Sequence, residues 1–360
     1  MATQTKALNQ SDVIDLISRL IEIPSVSFNE ADIASFLEAY CTDVFGGASV
    51  KRDGHSLVIS IGEAEAQHRL LLCSHVDTVS PSDGWTKDPF KAVREGGRIY
   101  GLGANDALAS CVSMLGALSQ AQHQIKGNAG VTLALVEQEE TGSNGFARIE
   151  PSLNYTSAIF GEPTEMRTAT EMRGYMRLKL LGKGQSCHAS RPWEGKNAIF
   201  HLTNQLSAIE QLDLEDGSTW GRATVEPTIL TAGNSVNQIP DHAEAILDVR
   251  TTPAINNEAI LEKLDALSCD YEIIHNNRRP MACDANSEVM QAINTALPGQ
   301  ETFAFGGSCD MAFATKPSIV MGVGKSVRSH AADEFVEEDE LVDGVAKYVR
   351  VLDRYVELFS

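Results

Sequence analysis

Arg69-Leu70-Leu71-Leu72-Cys73-Ser74-His75-Val76-Asp77 decides the fold. An unbroken apolar run of strand length reads as a strand covered on both faces, which belongs in a parallel sheet flanked by helices. Such open sheets hold their ligands beyond the carboxyl ends of the strands, which is where His75 and Asp77 stand. In an extended chain, residues two apart share a side. A carboxylate at Asp77 can therefore hydrogen-bond one ring nitrogen of His75 and leave the other for a metal.

The same alternation runs outward from this strand. Val13, Ile14, Ile17, Leu20 and Ile21 recur at helical spacing, which predicts a helix over 11–23, capped by Ser11 and ended by Pro24. A second helix follows over about 30–42. Strands are expected at 56–61, 131–137 and 157–161, with a helix over 107–123. The fold class is α/β, a mostly parallel sheet covered by helices. After about residue 168 the pattern changes to strand 175–181, helix 197–210, strand 243–250 and helix 257–267. That order suggests a small α+β module of ferredoxin-like type with helices on one sheet face. A helix over 287–297, a strand over 317–321 and a terminal helix over 337–358 then resume the first pattern. The domains are accordingly 1–168 and 281–360 as one discontinuous catalytic domain, with 169–280 inserted.

Composition narrows the function. At about 150 residues per domain, a length of 360 residues gives two domains. With 43% apolar and 22% charged residues, the chain is neither disordered nor fibrous. Its 29 Lys and Arg against 49 Asp and Glu leave a net charge of −20, a field that repels nucleic acid and anionic lipid, so neither is an expected partner. Met1-Ala2-Thr3-Gln4-Thr5-Lys6 contains no apolar leader, and no stretch approaches the roughly 20 apolar residues of a membrane span. Seven cysteines without CxxC spacing fit reduced thiols and a cytoplasmic location.

Four more strand ends carry chemistry. Asp106 follows Gly101-Leu102-Gly103-Ala104-Asn105, where it is either a ligand or a helix cap. Beyond Val131 to Val136 come Glu137-Gln138-Glu139-Glu140, acids that repel one another unless a cation sits among them or they face solvent. Glu162 follows Ala158-Ile159-Phe160, and His330 follows Ile319-Val320-Met321 within Arg328-Ser329-His330-Ala331-Ala332-Asp333-Glu334. Histidines and carboxylates in this mixture suit zinc, cobalt or manganese, and two ions where one carboxylate bridges.

Two other patterns mislead. Gly322-Val323-Gly324-Lys325-Ser326 ends like a phosphate-binding loop, but Ile319 stands where the first glycine is required. The loop reads instead as part of a substrate pocket. Cys187 and His188 are strand neighbours that point to opposite faces, so they are not a nucleophile and its base.

The motifs Ser74-His75-Val76-Asp77-Thr78-Val79, Tyr100-Gly101-Leu102-Gly103-Ala104-Asn105-Asp106, Glu139-Glu140, Gly161-Glu162-Pro163-Thr164 and Ser329-His330-Ala331-Ala332-Asp333-Glu334 together resemble a zinc-dependent amidohydrolase family. It is that of acetylornithine deacetylase, succinyl-diaminopimelate desuccinylase, aminoacylase and carboxypeptidase G, and the resemblance covers nearly the whole chain. It lies nearest the acetylornithine deacetylase branch. The resemblance implies two divalent ions, zinc or else cobalt or manganese. Asp106 would bridge them, His75 and Glu162 would complete one site, and Glu140 and His330 the other. Asp77 would orient His75, and Glu139 would serve as general base, taking a proton from water and passing it to the leaving amine. His188, in Gln185-Ser186-Cys187-His188-Ala189, would cross a dimer interface to the developing oxyanion. Arg250 would hold the substrate α-carboxylate, for which its fork is suited, and Asn237 would contact the substrate.

The implied protein is a homodimer joined through the inserted lid domain. It hydrolyses an N-acyl amino acid, foremost N-acetyl-ornithine to ornithine and acetate in arginine biosynthesis. N-succinyl-ornithine, N-acetyl-citrulline or a dipeptide are alternatives on the same chemistry, and a catalytically silent metal-binding protein is an alternative of another class. Two positions depart from the family pattern. Cys187 stands where the family often has glycine, which predicts strain if that backbone needs positive φ. Ala107-Leu108-Ala109-Ser110 replaces a bulky residue, a lysine and two glycines.

Overall fold

The apolar run is the strand His68–His75, buried from Arg69 onward, at the centre of the main sheet. This computed structural model describes residues 6–217 and 220–360, so the expectation about a leader, which falls on residues 1–5, lies outside the described residues. Across the sheet the strands run Val50–Asp53, Ser56–Ile61, Ala129–Val136, His68–His75, Ser157–Phe160 and Ser318–Val320. The last four are parallel, and the first two form an antiparallel hairpin that continues the sheet. The sheet is thus parallel in its core and antiparallel on both flanks, since Val320 also pairs antiparallel with Ala169. Its register places His75 beside Val136, Cys73 beside Phe160, and Phe160 beside Val320. The segments that follow these strands therefore emerge along a single sheet edge.

Helices close the faces of this unit, which comprises the chain as far as Thr170 with Cys283–Phe303 and Cys309–Ser360. Leu108–Ala121 is buried on nearly every side and packs against Gln10–Ile21 and Glu338–Phe359. Gly116 permits that approach, since a Cβ there would meet Val13 at 3.0 Å and Val345 at 3.2 Å. The first helix begins slightly earlier than its spacing suggests. Asn9 rather than Ser11 is the cap, in a capping box with Asp12 that satisfies two otherwise orphaned N–H groups.

The second unit, Glu171–Ala282 with Ala304–Ser308, contains the order strand, helix, strand, strand, helix, strand. Its antiparallel sheet runs Thr224–Ala232, His242–Thr251, Gly174–Lys183, Tyr271–Arg278. Alternation decides its faces: Met176, Leu178, Leu180, Ala243, Ala245, Leu247 and Val249 pack with Ala198, Leu202, Ile260 and Leu264 of the helices Ala198–Glu210 and Asn257–Ala266. This is the ferredoxin-like arrangement of split βαβ units. Its strand Thr224–Ala232 has no counterpart in the sequence-based reading, because Pro227 and exposed polar residues interrupt the pattern. The structure absorbs them as an edge strand with a register shift between Pro227 and Ile229.

Candidate metal centre

The segments leaving the parallel strands bring their side chains together. His75, Asp106 and Glu162 offer ligand atoms that all lie within 4.8 Å of one another, as do Asp106, Glu140 and His330. Asp106 is common to both groups. Its Oδ1 stands 3.3 Å from His75 Nε2 and its Oδ2 3.7 Å from His330 Nε2, so the two oxygens of one carboxylate face different histidines. The N-cap of the helix that follows is Ala107, not Asp106, so the cap reading of Asp106 gives way. His330 Nε2 also lies 3.0 Å from Glu140 Oε1.

His75 is buried, and its Nδ1 is 2.9 Å from the carbonyl oxygen of Asp77. A carbonyl only accepts, so Nδ1 carries the proton and Nε2 faces Asp106. The Asp77 carboxylate, 3.5 Å from the same Nδ1, has wider duties. Its Oδ1 accepts the Glu139 N–H at 2.9 Å, and its Oδ2 accepts the Glu140 N–H at 3.2 Å and the Ser27 hydroxyl at 2.7 Å. Asp77 thus fixes the turn that carries Glu139 and Glu140. Glu139 is buried, and Ser143 Oγ donates to its Oε1 at 3.4 Å.

Burial and the close approach of carboxylates and imidazoles set the electrostatics of this cluster. Burial pushes the Glu162 carboxyl well above its ordinary value. Burial also opposes the charged form of His75, but its bonds to Asp106 and Asp77 prevail and raise it well above the ordinary range. At His330 the bond to Glu140 leads, lifting the imidazole to about 9. Burial pushes Asp106 up, and His75, Ser329 and His330 outweigh it to hold the carboxyl low. Carboxylates outnumber imidazoles here, and two divalent cations would offset the surplus negative charge. The mixed nitrogen and oxygen donors fit such ions. His75 and Glu162 would hold one, Glu140 and His330 the other, and Asp106 would reach both.

The remaining candidates lie in the second unit. His188 lies in a two-stranded ribbon in which Cys187 pairs with Ile239 and His188 with Gln238, and Asn237 stands in the turn before the second strand, its carbonyl accepting the Ala189 N–H at 2.9 Å. His188 Nδ1 accepts the Ser190 N–H at 3.2 Å, which leaves the proton of a neutral ring on Nε2. Asn237 Oδ1 accepts the Ser235 hydroxyl at 2.8 Å. Arg250 is engaged in a fork with Asp248, at 2.7 and 3.1 Å, and lies 4.4 Å over the ring of Tyr175. Cys187 introduces no backbone strain, since its φ is not positive. Its sulfur fits because Gly195 is opposite, where a Cβ would meet it at 2.7 Å.

Ser27, Asn105 and Glu334 carried no role in the sequence, although Ser27 bonds Asp77 and the other two hold the segments that carry Asp106 and His330. Asn105 Oδ1 accepts the Lys325 N–H at 2.8 Å, and Ser326 Oγ donates to the Pro163 carbonyl at 2.7 Å. The segment resembling a phosphate loop is therefore scaffold beside the site. Burial, with the nearby Asp106 charge, pushes the Glu334 carboxyl up, while the N–H groups of Asp106, Asn105 and Gly103 that donate to it favour its charged form. The place of Glu334 in the segment that carries His330 was the available signal.

Known proteins share this architecture. A peptidase M20 domain-containing protein of Schizosaccharomyces pombe is 24% identical over 356 residues, covering 95% of this chain and 84% of its relative. The aminopeptidase PepT of Bacillus cereus superposes with a TM-score of 0.77 at 18% identity, over 97% of this chain and 100% of the other. The YXEP protein of Bacillus subtilis, described as a dinuclear metal-binding peptidase, gives 0.72 at 16% identity, over 97% and 98% of the two chains. The profile of peptidase family M20/M25/M40 matches residues 71–354, a span that begins in the central strand and takes in every candidate ligand. The chain belongs to peptidase family M20/M25/M40.

Proposed function

We propose that the chain hydrolyses the amide bond of an N-acyl amino acid with the help of two divalent ions, zinc foremost, and that its substrate is N-acetyl-ornithine. The observation that carries this is the sharing of Asp106 between two donor groups, with the buried Glu139 fixed beside them by Asp77. When bound, the ions supply positive charge that polarises the amide carbonyl. Glu139 takes the proton of the attacking water and hands it to the leaving nitrogen. Asp77 orients His75 and holds the Glu139 turn.

In the same proposal the inserted unit forms a homodimer, and His188 reaches the partner's site with its Nε2–H directed at the oxygen that gains charge. The Ser190 bond supports that tautomer. Arg250 takes the substrate α-carboxylate in exchange for Asp248, and Asn237 contacts the substrate from the turn beside the ribbon that carries His188. The proposed setting is the cytoplasm, and the proposed route is arginine biosynthesis.

A dipeptide is the second substrate class, favoured by membership in a family of peptidases. N-succinyl-ornithine and N-acetyl-citrulline would change the pocket and leave the proton path alone. Amine release by the metal-reconstituted protein from N-acetyl-ornithine, N-succinyl-ornithine, N-acetyl-citrulline and a dipeptide, each with a chelator control, tests the proposal. Chelator-sensitive release from N-acetyl-ornithine above the others supports it. Preference for another member moves the substrate, and no release from a protein with both ions bound overturns the hydrolytic reading.

A further inference from the structure

Glu334 lies four residues beyond His330, and its buried carboxylate is occupied by one loop. Oε1 accepts the N–H of Asn105 at 2.8 Å and of Asp106 at 2.9 Å, while Oε2 accepts that of Gly103 at 3.2 Å. Its backbone carbonyl accepts the Gly101 N–H at 3.0 Å. Gly103 is required in this cradle: its φ is +77°, and a Cβ would meet Thr78 Cγ2 at 2.6 Å. From the loop side, the Asn105 side-chain amide donates to the Lys325 carbonyl at 3.1 Å and to Ser329 Oγ at 3.3 Å. The loop ending in Asp106 and the segment containing His330 are therefore fastened in both directions. None of these bonds uses a side-chain ligand atom of the candidate metal centre.

Ordinary satisfaction of buried N–H groups would not require a carboxylate beside Asp106. A second buried carboxylate near the first is unfavourable in itself and is held by its bonds to the N–H groups it gathers. We propose that Glu334 is the positioning residue for the shared carboxylate: it folds the turn from Gly103 to Asp106 and sets Asp106 between His75 and His330 before any ion arrives. This rests on the metal-centre reading above, but on no choice of substrate.

Glutamine isolates the effect. With its oxygen toward Asn105 and Asp106, its NH2 confronts the Gly103 N–H, donor against donor; reversed, it fails the other two. Glu334→Ala loses all three side-chain bonds. Zinc titration by calorimetry is expected to show affinity falling in the order wild type, Glu334→Gln, Glu334→Ala, by about 10–100-fold for the alanine, the range for residues that orient metal ligands. Hydrogen exchange of the metal-free wild type supplies an independent test, with the amides of Gly103, Asn105 and Asp106 protected without zinc.

Wild-type zinc affinity in folded Glu334→Gln and Glu334→Ala would overturn the proposal, even if their thermal stability fell. Rapid exchange of those amides in the folded, metal-free wild type would overturn it as well. That exchange result stands if the variants do not fold. A wild type that binds no zinc would refute the metal reading and, with it, the positioning role; a wrong substrate would alter neither measurement.

Discussion

Asp77 and Glu139 are joined by a 2.9 Å hydrogen bond from the Glu139 N–H to Asp77 Oδ1, and Asp77 Oδ2 takes the N–H of Glu140 at 3.2 Å. The carboxylate that faces the back of His75 therefore also sets the turn carrying a candidate base and a candidate ligand. Asp77→Asn keeps one acceptor oxygen and puts an NH2 toward a backbone donor. It is expected to weaken zinc binding about 10–100-fold and to lower activity, as checked by competition with a chelator of known affinity and by a steady-state assay.

Glu139 belongs to neither candidate ligand group. Glu139→Gln is expected to bind both ions as the wild type does and to lose about 10²–10⁴-fold in kcat, the usual contribution of a positioned acid or base. Metal analysis of the purified variant beside its turnover number checks both halves. Substantial turnover would remove Glu139 from the proton path.

His330 belongs to one donor group only, whereas Asp106 belongs to both. His330→Ala is expected to lose one of the two ions and retain the ion at His75 and Glu162. Asp106→Ala is expected to lose both. Elemental analysis after dialysis against zinc-buffered solution distinguishes these outcomes.

Far from the centre, Glu288 ties the start of the central strand to the terminal helix. It meets His68 Nδ1 at 2.6 Å, Thr156 Oγ1 at 2.5 Å and Tyr355 Oη at 2.7 Å. Burial pushes its carboxyl up, but the bonds from Thr156, Tyr355 and His68 outweigh burial and hold it below the unfolded value of 4.5. A depressed folded pKa means stabilisation that is present above the unfolded pKa and is lost as pH falls through the folded one. Glu288→Gln is expected to cost about 1–3 kcal/mol near pH 7. The difference should shrink as pH drops below 4.5, as measured by urea unfolding across that range.

The sequence made the parallel core readable because Leu70, Leu71 and Leu72 and the run from Val131 to Val136, Thr132 apart, are apolar without alternation, as burial on both faces demands. His75, Asp106, Glu140, Glu162 and His330 stood out because each follows such a run or a glycine turn beside it. The antiparallel edge was less plain, although Asp53-Gly54 is a hairpin signal and Gly54 has φ +61°. Contacts from side chains to distant backbone left almost no trace. Glu334 meets the N–H of Gly103 from 231 positions away and Asp77 meets that of Glu139 from 62, and neither spacing has a periodicity to detect. Arg250 was legible as a fork for a carboxylate, but its engagement with Asp248 depends on two side chains sharing one strand face.

Anomalous X-ray diffraction from crystals grown with zinc tests the shared-carboxylate centre most directly. Two peaks are expected, one among His75, Asp106 and Glu162 and the other among Asp106, Glu140 and His330, with an Asp106 oxygen directed at each. A single peak, or two zinc ions with Asp106 bound to neither, would contradict it.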